Sequence, residues 1–172
     1  MAQTTQQKIR RHRLQAALFY WLWLPGLVVG GGLLLDHALG LGRWTHGPAA
    51  VGIALGLLGI GIGLIAWADR DLARYGGGTP SPADPCHHLV THGSYRLCRH
   101  PMFLGYDLGA LAIVFLTGSP AMILVSYPLL LAWQIRFLKN EEQILARRFG
   151  EAYRAYRAAV PFLIPLPPMK SP

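Results

Sequence analysis

Residues 101–142 read PMFLGYDLGALAIVFLTGSPAMILVSYPLLLAWQIRFLKNEE. From Pro101 to Ile135 only Asp107 carries a formal charge. One helix over those 35 residues would be about 50 Å long, against a hydrocarbon core of about 30 Å. The Thr117-Gly118-Ser119-Pro120 break in the middle resolves the mismatch. The stretch predicts two short helices, Met102–Thr117 and Ala121–Leu138, folded as a hairpin. Such a hairpin turns at one membrane face and brings its two polar ends together at the other.

Two further apolar runs precede it. Leu14–Leu35 holds no formal charge, and Trp44–Ala68 is a second such run. Each is long enough to span as a helix, the first kinked near Pro25. A cleaved signal peptide is the alternative for the first; its length and the lack of a small-residue cleavage site favour a retained helix. Gly52, Gly56, Gly59 and Gly63 share one face of the second helix, a spacing that admits close packing in lipid. After the hairpin, Leu145, Phe149, Ala152, Tyr156 and Val160 step by three or four residues among arginines, the pattern of an amphipathic helix against the membrane or the bundle. The fold class predicted is therefore all-α: one polytopic membrane domain over residues 1–172. Its spans are 14–35, 47–68, 102–117 and 121–138, with an irregular loop over 76–100 and an amphipathic helix over 140–158.

Composition agrees. Apolar residues make up 52% of the 172 and charged residues 14%, where soluble domains are about a quarter charged. Disorder and a cytosolic globule are both disfavoured, and two cysteines exclude a disulfide-dense scaffold. Placed on the four spans, 15 of the 16 Lys and Arg fall on one side; Arg43 alone falls on the other. By the positive-inside rule both termini, the middle loop and the polar clusters face the cytoplasm, as in a bacterial inner membrane or its equivalent. Nucleic-acid binding does not predict that alternation, so no nucleic-acid partner is expected.

The polar residues form two clusters, CHHLVTHGSYRLCRHPMFLGY at 86–106 and RFLKNEE at 136–142. The hairpin sets Arg99 and His100 beside Glu141 and Glu142. Each has a plainer reading: snorkelling anchors for Arg96 and Arg99, a helix-starting Pro101, and acids favoured near a helix start capped by Asn140. Asp107 lies about one and a half turns into a span, where a carboxylate is costly unless paired or hydrated. A proton acceptor, a substrate anchor and an ion-pair partner for Arg136 are all open to it. No CxxC or HxxxH pairing is present, so no metal is expected. Histidines sit in loops or at a rim, which disfavours haem. Neither GxSxG nor a Walker motif occurs.

The block GGGTPSPADPCHHLVTHGSYRLCRHPMFLG (76–105), followed about thirty residues on by NEEQILARRFGEAYRAYRAAVPFLIP (140–165), resembles the integral-membrane methyltransferases: the isoprenylcysteine carboxyl methyltransferases, the phospholipid N-methyltransferases and their bacterial relatives. The likeness covers about half the chain. It implies S-adenosylmethionine as cofactor, leaving as S-adenosylhomocysteine, without a Rossmann domain. The family's His-x-Leu-Val falls on His87, His88, Leu89 and Val90. Its tyrosine after glycine falls on Gly93 and Tyr95, its Arg-His-Pro-x-Tyr on Arg99, His100, Pro101, Met102 and Phe103, and its glutamate pair on Glu141 and Glu142.

The resemblance implies that these residues bind the cofactor, with Arg99 and Glu142 as catalytic groups. The chemistry of the side chains agrees: Leu89 and Val90 can line an adenine slot, a glutamate can accept from a hydroxyl or ammonium, Arg99 or His100 can meet a carboxylate, and Tyr95 and Phe103 can face a sulfonium. The substrate side is assigned to Tyr106, Asp107 and Arg136. The acceptor implied is a membrane lipid or other lipophilic small molecule: a prenylcysteine-type carboxylate, a phospholipid amine or a lipophilic thiol. Two departures stand out. Phe103 replaces the motif tyrosine, and Phe137 occupies the position from which an arginine meets the prenylcysteine carboxylate. The rival expectation is a non-catalytic membrane scaffold or transporter subunit that retains the fold.

Overall fold

The computed structural model describes residues 24–44, 46–77 and 86–165, and their regular structure is all helical. Helix α1 spans Leu24–Leu39, α2 Pro48–Asp71, α3 Pro101–Thr117, α4 Tyr127–Phe149 and α5 Glu151–Ala159. Two wider π-type segments prolong the long helices, Leu72–Gly76 after α2 and Met122–Ser126 before α4. A 3-10 turn, Gly93–Arg96, lies between α2 and α3. So extended, α2 and α4 are long and apolar enough to cross a membrane; Gly26–Leu39 and α3 are apolar but shorter. Residues 14–23 of the first expected span lie outside the described residues. Its described part runs to Leu39, past the expected end at Leu35, and carries Asp36 inside the helix.

The hairpin turns where the sequence breaks. Gly118 takes a left-handed conformation, φ 62°, and ends α3. The chain then restarts as a capped helix. Ser119 Oγ accepts the Met122 N–H at 3.0 Å, and the Asp36 carboxylate accepts the Ala121 N–H at 2.9 Å. Asp36 is buried, and a carboxylate at a helix N-terminus meets both unpaired N–H groups and the positive end of the dipole. The Trp44 N–H bonds Gly118 O at 3.1 Å, fastening the α1–α2 loop to this turn.

Helices α2 and α3 touch backbone to backbone. A Cβ on Gly61 would lie 2.6 Å from Gly105 O, and a Cβ on Gly105 would lie 2.7 Å from Gly61 O. Small residues permit such an approach where apolar burial supplies no drive. The expected glycine face is corrected here: Gly52, Gly56, Gly59 and Gly63 meet nothing within 4 Å, and Gly61 makes the contact. The buried stripe of α2 is Ala54, Gly61 and Ala68, a seven-residue repeat. Large apolar side chains point outward instead, Leu34 and Leu124 more than 70% exposed, an apolar surface of the kind that lipid or a partner covers.

The single amphipathic helix expected over 140–158 is also corrected. Residues 140–149 continue α4, Gly150 breaks the helix at φ 57° and ψ −130°, and α5 begins at Glu151. Side-chain periodicity alone does not register a glycine that breaks the helix. The inner face of α5, Tyr153 and Tyr156, is buried against the protein, and Tyr156 donates to Tyr95 O at 2.7 Å.

Candidate active site

The loop between α2 and α3 is pinned at both ends before it reaches the rim. At one end, the N–H groups of His87 and His88 bond Gly76 O at 2.7 and 3.1 Å. In the middle, Asp71 Oδ2 accepts from both the N–H and the hydroxyl of Ser94, at 2.7 and 2.8 Å. Gly93 sits directly on that carboxylate with φ 61°; any Cβ there would strike Asp71. Gly93 thus serves the loop's fold, and Asp71 and Ser94 are structural residues the sequence reading passed over. The signal available was an acid in the last turn of a span, beside a loop glycine. Val90 is buried against Gly76, Leu89 is half-buried, and the His87 and His88 side chains are exposed.

At the other end, Arg99 clasps three segments. Its Nε donates to Glu142 Oε1 at 2.6 Å, and its Nη1 donates to the carbonyls of Arg157 and Val160 at 2.7 and 2.8 Å. The Arg99 N–H bonds Pro161 O, and the guanidinium lies over the Phe162 ring. Glu142 is itself buried, with His100 Nε2 at 3.5 Å and Arg157 Nε at 3.7 Å. Hydrogen bonds to charged groups are the strong ones, so this clasp holds the chain after α5 against the start of α3. The corner that sequence placed together is together.

His100 is buried beside the clasp. Burial, with Arg99 adding to it and Glu142 opposing, lowers its pKa to about 4, so the ring is neutral at pH 7. Its Nε2 makes no hydrogen bond of ordinary geometry. Pro101 is buried at the first position of α3, and Met102 is half-buried behind it. Glu141 differs from its neighbour: its Oε2 is buried without a partner. Burial raises the pKa of the Tyr95 phenol, and the charges of Cys86, Tyr156, Glu141 and Asp71 raise it further. Cys86 is half-buried and Cys98 buried, both free; burial pushes the Cys98 thiol up to about 11. Among the described residues no group of three or more His, Cys, Asp or Glu is placed to hold a metal ion.

Aromatic rings lead from this rim into the bundle. His100 meets Phe162 at 5.1 Å and Phe103 at 6.4 Å; Phe103 meets Tyr106 and Phe137, each at 5.9 Å, and Phe137 stacks on Trp133. Phe103 also lines a cavity of about 250 Å³ between α1, α2, α3 and α4, together with Val29, Ile62, Tyr106, Trp133 and Asp107. Asp107 is buried there; its Oδ2 accepts from Gln134 Nε2 at 2.8 Å and its Oδ1 has no partner. The ion pair considered between Asp107 and Arg136 is corrected: Gln134 takes the carboxylate, while Arg136, two residues on and about 200° around the helix, is exposed.

Comparison with known proteins joins this geometry to a family. Residues 49–152 match the phospholipid methyltransferase family model. The protein-S-isoprenylcysteine O-methyltransferase of Schizosaccharomyces pombe is 37% identical over 82 residues, covering 48% of this chain and 35% of the relative. The cobalt-zinc-cadmium resistance protein CzcN of Cupriavidus metallidurans is 30% identical over 162 residues, 91% of this chain and 65% of the relative. The protein-S-isoprenylcysteine O-methyltransferase A of Arabidopsis thaliana is 29% identical over 79 residues, 46% of this chain and 40% of the relative. The chain thus spans about a third to two thirds of the length of these relatives. With the family model covering more than half of its residues, the chain belongs to the phospholipid methyltransferase family.

Proposed function

We propose that the protein is an S-adenosylmethionine-dependent methyltransferase that takes its cofactor from the cytoplasm and a lipophilic acceptor from the membrane. One observation carries the reading: a rim of buried polar groups with unused hydrogen-bonding capacity is joined through Phe103 to an apolar cavity inside the bundle. The rim fits the cofactor by the chemistry of its groups. Glu141 Oε2 is a buried acceptor for a ribose hydroxyl or an ammonium. The neutral His100 offers a polar nitrogen without adding positive charge beside a sulfonium. Tyr95 and Phe103 supply ring faces for a cation, and Leu89 an apolar wall. Arg99 and Glu142 act as positioning residues in this reading, because their charges are already engaged with each other and with the tail. When bound, the cofactor supplies a methyl group activated on a sulfonium. The chain's own residues align it against the acceptor and exclude water, and alignment of this kind lowers barriers by several kcal/mol, up to ~7–11 in favourable cases.

The placement proposed is four spans with both termini and the rim in the cytoplasm, following the one-sided distribution of basic residues. Calorimetry with S-adenosylhomocysteine on the detergent-solubilised full chain tests the reading. Wild type is expected to bind, and Glu141→Gln to weaken binding at least tenfold without loss of thermal stability. Binding unchanged by Glu141→Gln would remove the rim as the site, and no binding at all would favour a non-catalytic scaffold. A labelled-methyl assay against total lipid extract and a thiol panel then identifies the acceptor by product mass.

A further inference from the structure

We propose that residues 160–164 form a lid over the rim, closed by Phe162 and latched by Arg99. This deepens the methyltransferase reading and rests on it for taking the molecule admitted beneath the lid to be the cofactor. The warrant is what covers the rim. His100 stands immediately before α3 and is yet only 6% exposed. Its cover is the chain after α5: the Phe162 ring meets the imidazole edge to face at 5.1 Å, and the Arg99 guanidinium lies over the same ring at 5.5 Å. A nucleoside arriving from water does not reach His100 while that ring stays in place. Binding at this corner therefore requires part of the fold to move.

The attachments say which part. Helix α5 is held by its own inner face, with Tyr153 1% exposed and Tyr156 donating to Tyr95 O. Beyond it the chain leaves the helix at Val160, φ −119° and ψ 132°, and only carbonyls tie it down. Arg99 Nη1 donates to Val160 O at 2.8 Å, and the Arg99 N–H donates to Pro161 O at 2.9 Å. Water replaces such carbonyl bonds at little net cost. The Arg99 side chain need not leave with the segment, because its Nε stays on Glu142 Oε1 at 2.6 Å. The catch is thus fixed to α4 and the latch releases from it. Phe162 and Leu163 are half-buried, and Ile164 and Pro165 are exposed, so little apolar area opposes opening. Segments with few buried contacts open at the lowest free energy, and a lid that closes again over a bound cofactor keeps water from the reacting methyl group.

The test is modification of the histidines by diethyl pyrocarbonate, read by mass spectrometry on the full chain in nanodiscs. Surface plasmon resonance on the same samples follows S-adenosylhomocysteine. In wild type, His100 is expected to react at least tenfold more slowly than the exposed His87 and His88. Phe162→Ala is expected to speed His100 at least fivefold and leave His87 unchanged. The same variant is expected to speed both association and dissociation of S-adenosylhomocysteine at least fivefold, whereas loss of a simple contact speeds dissociation alone. Phe162→Leu keeps an apolar cover and is expected to fall between; it is read in place of Phe162→Ala if that variant does not fold. Wild-type His100 reacting as fast as His87, His100 unmoved by either variant, or association unmoved while His100 is unmasked each overturns the lid. Unmasking of His100 in a chain that binds no S-adenosylhomocysteine sinks the methyltransferase reading and leaves the cover over His100 standing. Binding with His100 unmoved by the variants sinks the lid alone.

Discussion

Arg99→Ala breaks the clasp in a way whose cost can be worked from the structure. The substitution leaves Glu142, only 4% exposed at its side chain, facing a neutral imidazole at 3.5 Å and the half-exposed Arg157 at 3.7 Å. Removing one member of a buried ion pair typically costs ~3–5 kcal/mol, because the survivor keeps its desolvation penalty. The carbonyls of Arg157 and Val160 also lose their donor, but they lie near the surface and water replaces much of that bond. The expected loss is therefore about 3–4 kcal/mol. Adding Glu142→Gln removes the stranded charge, so the double variant should recover part of the loss. Urea midpoints of the two single variants and the double variant, in one detergent, give the coupling energy. A value of about 2 kcal/mol or more is expected for contacting charges in one network. Coupling within about 0.5 kcal/mol of zero would refute the clasp, since independent sites add to that precision.

Three further outcomes follow from the packing and the buried ring. Gly61→Ala drives a methyl into the Gly105 carbonyl, which cannot rotate away, and should cost ~2–3 kcal/mol; Gly56→Ala meets open space and should be neutral or stabilise by up to ~1 kcal/mol through helix propensity. Gly93→Ala adds left-handed strain and displaces Asp71 from Ser94, with an expected loss of ~2–4 kcal/mol, whereas Asp71→Asn keeps an acceptor oxygen and should lose less; both are read from thermal midpoints. His100 holds its proton more weakly folded, at about 4, than unfolded, at about 6.5. Between those values the unfolded chain carries more protons, so this contribution is complete above pH 6.5 and lost as pH falls through 4. It amounts to about 3 kcal/mol, and it should be absent from the pH–stability profile of His100→Gln and appear in full in the difference between wild type and that variant.

Much of this architecture was legible because it depends on chain direction and length alone. An apolar stretch too long for one span, with a Gly-Ser-Pro break at its centre, forces a hairpin, and the hairpin brings Arg99 to Glu142. What escaped depends on how each helix is rotated about its axis. Four regularly spaced glycines on α2 promised a contact face, yet Gly61 lies inward, because α3 offers its own glycine, Gly105, at that height. Asp107 found Gln134 and left Arg136 outside for the same reason. Asp36 at the start of α4 and Asp71 under Gly93 are long-range contacts with no local spacing to announce them. Gly150 is the instructive case: apolar periodicity runs through it undisturbed, while its left-handed φ ends α4 and lets α5 set Tyr156 against Tyr95.

The acidic pair shows why rotation matters to specificity. Gln134, Leu138 and Glu142 recur every four residues and form the buried stripe of α4, while Trp133, Phe137 and Glu141 form the stripe beside it. The first binds the helix to its neighbours through Asp107 and Arg99. The second runs from the cavity wall at Trp133, through the Phe103 contact at Phe137, to the unpartnered oxygen of Glu141 at the rim. A residue at position 137 therefore stands between cavity and rim. An aromatic there keeps the stretch between them apolar, and an arginine there would set a charge on it. Phe137→Arg is thus expected to lower methyl transfer to a lipophilic acceptor at least tenfold, with S-adenosylhomocysteine binding retained within threefold. If transfer stays as in wild type while the variant remains folded, position 137 does not join cavity to rim, and the path between them has to be sought elsewhere on the cavity wall.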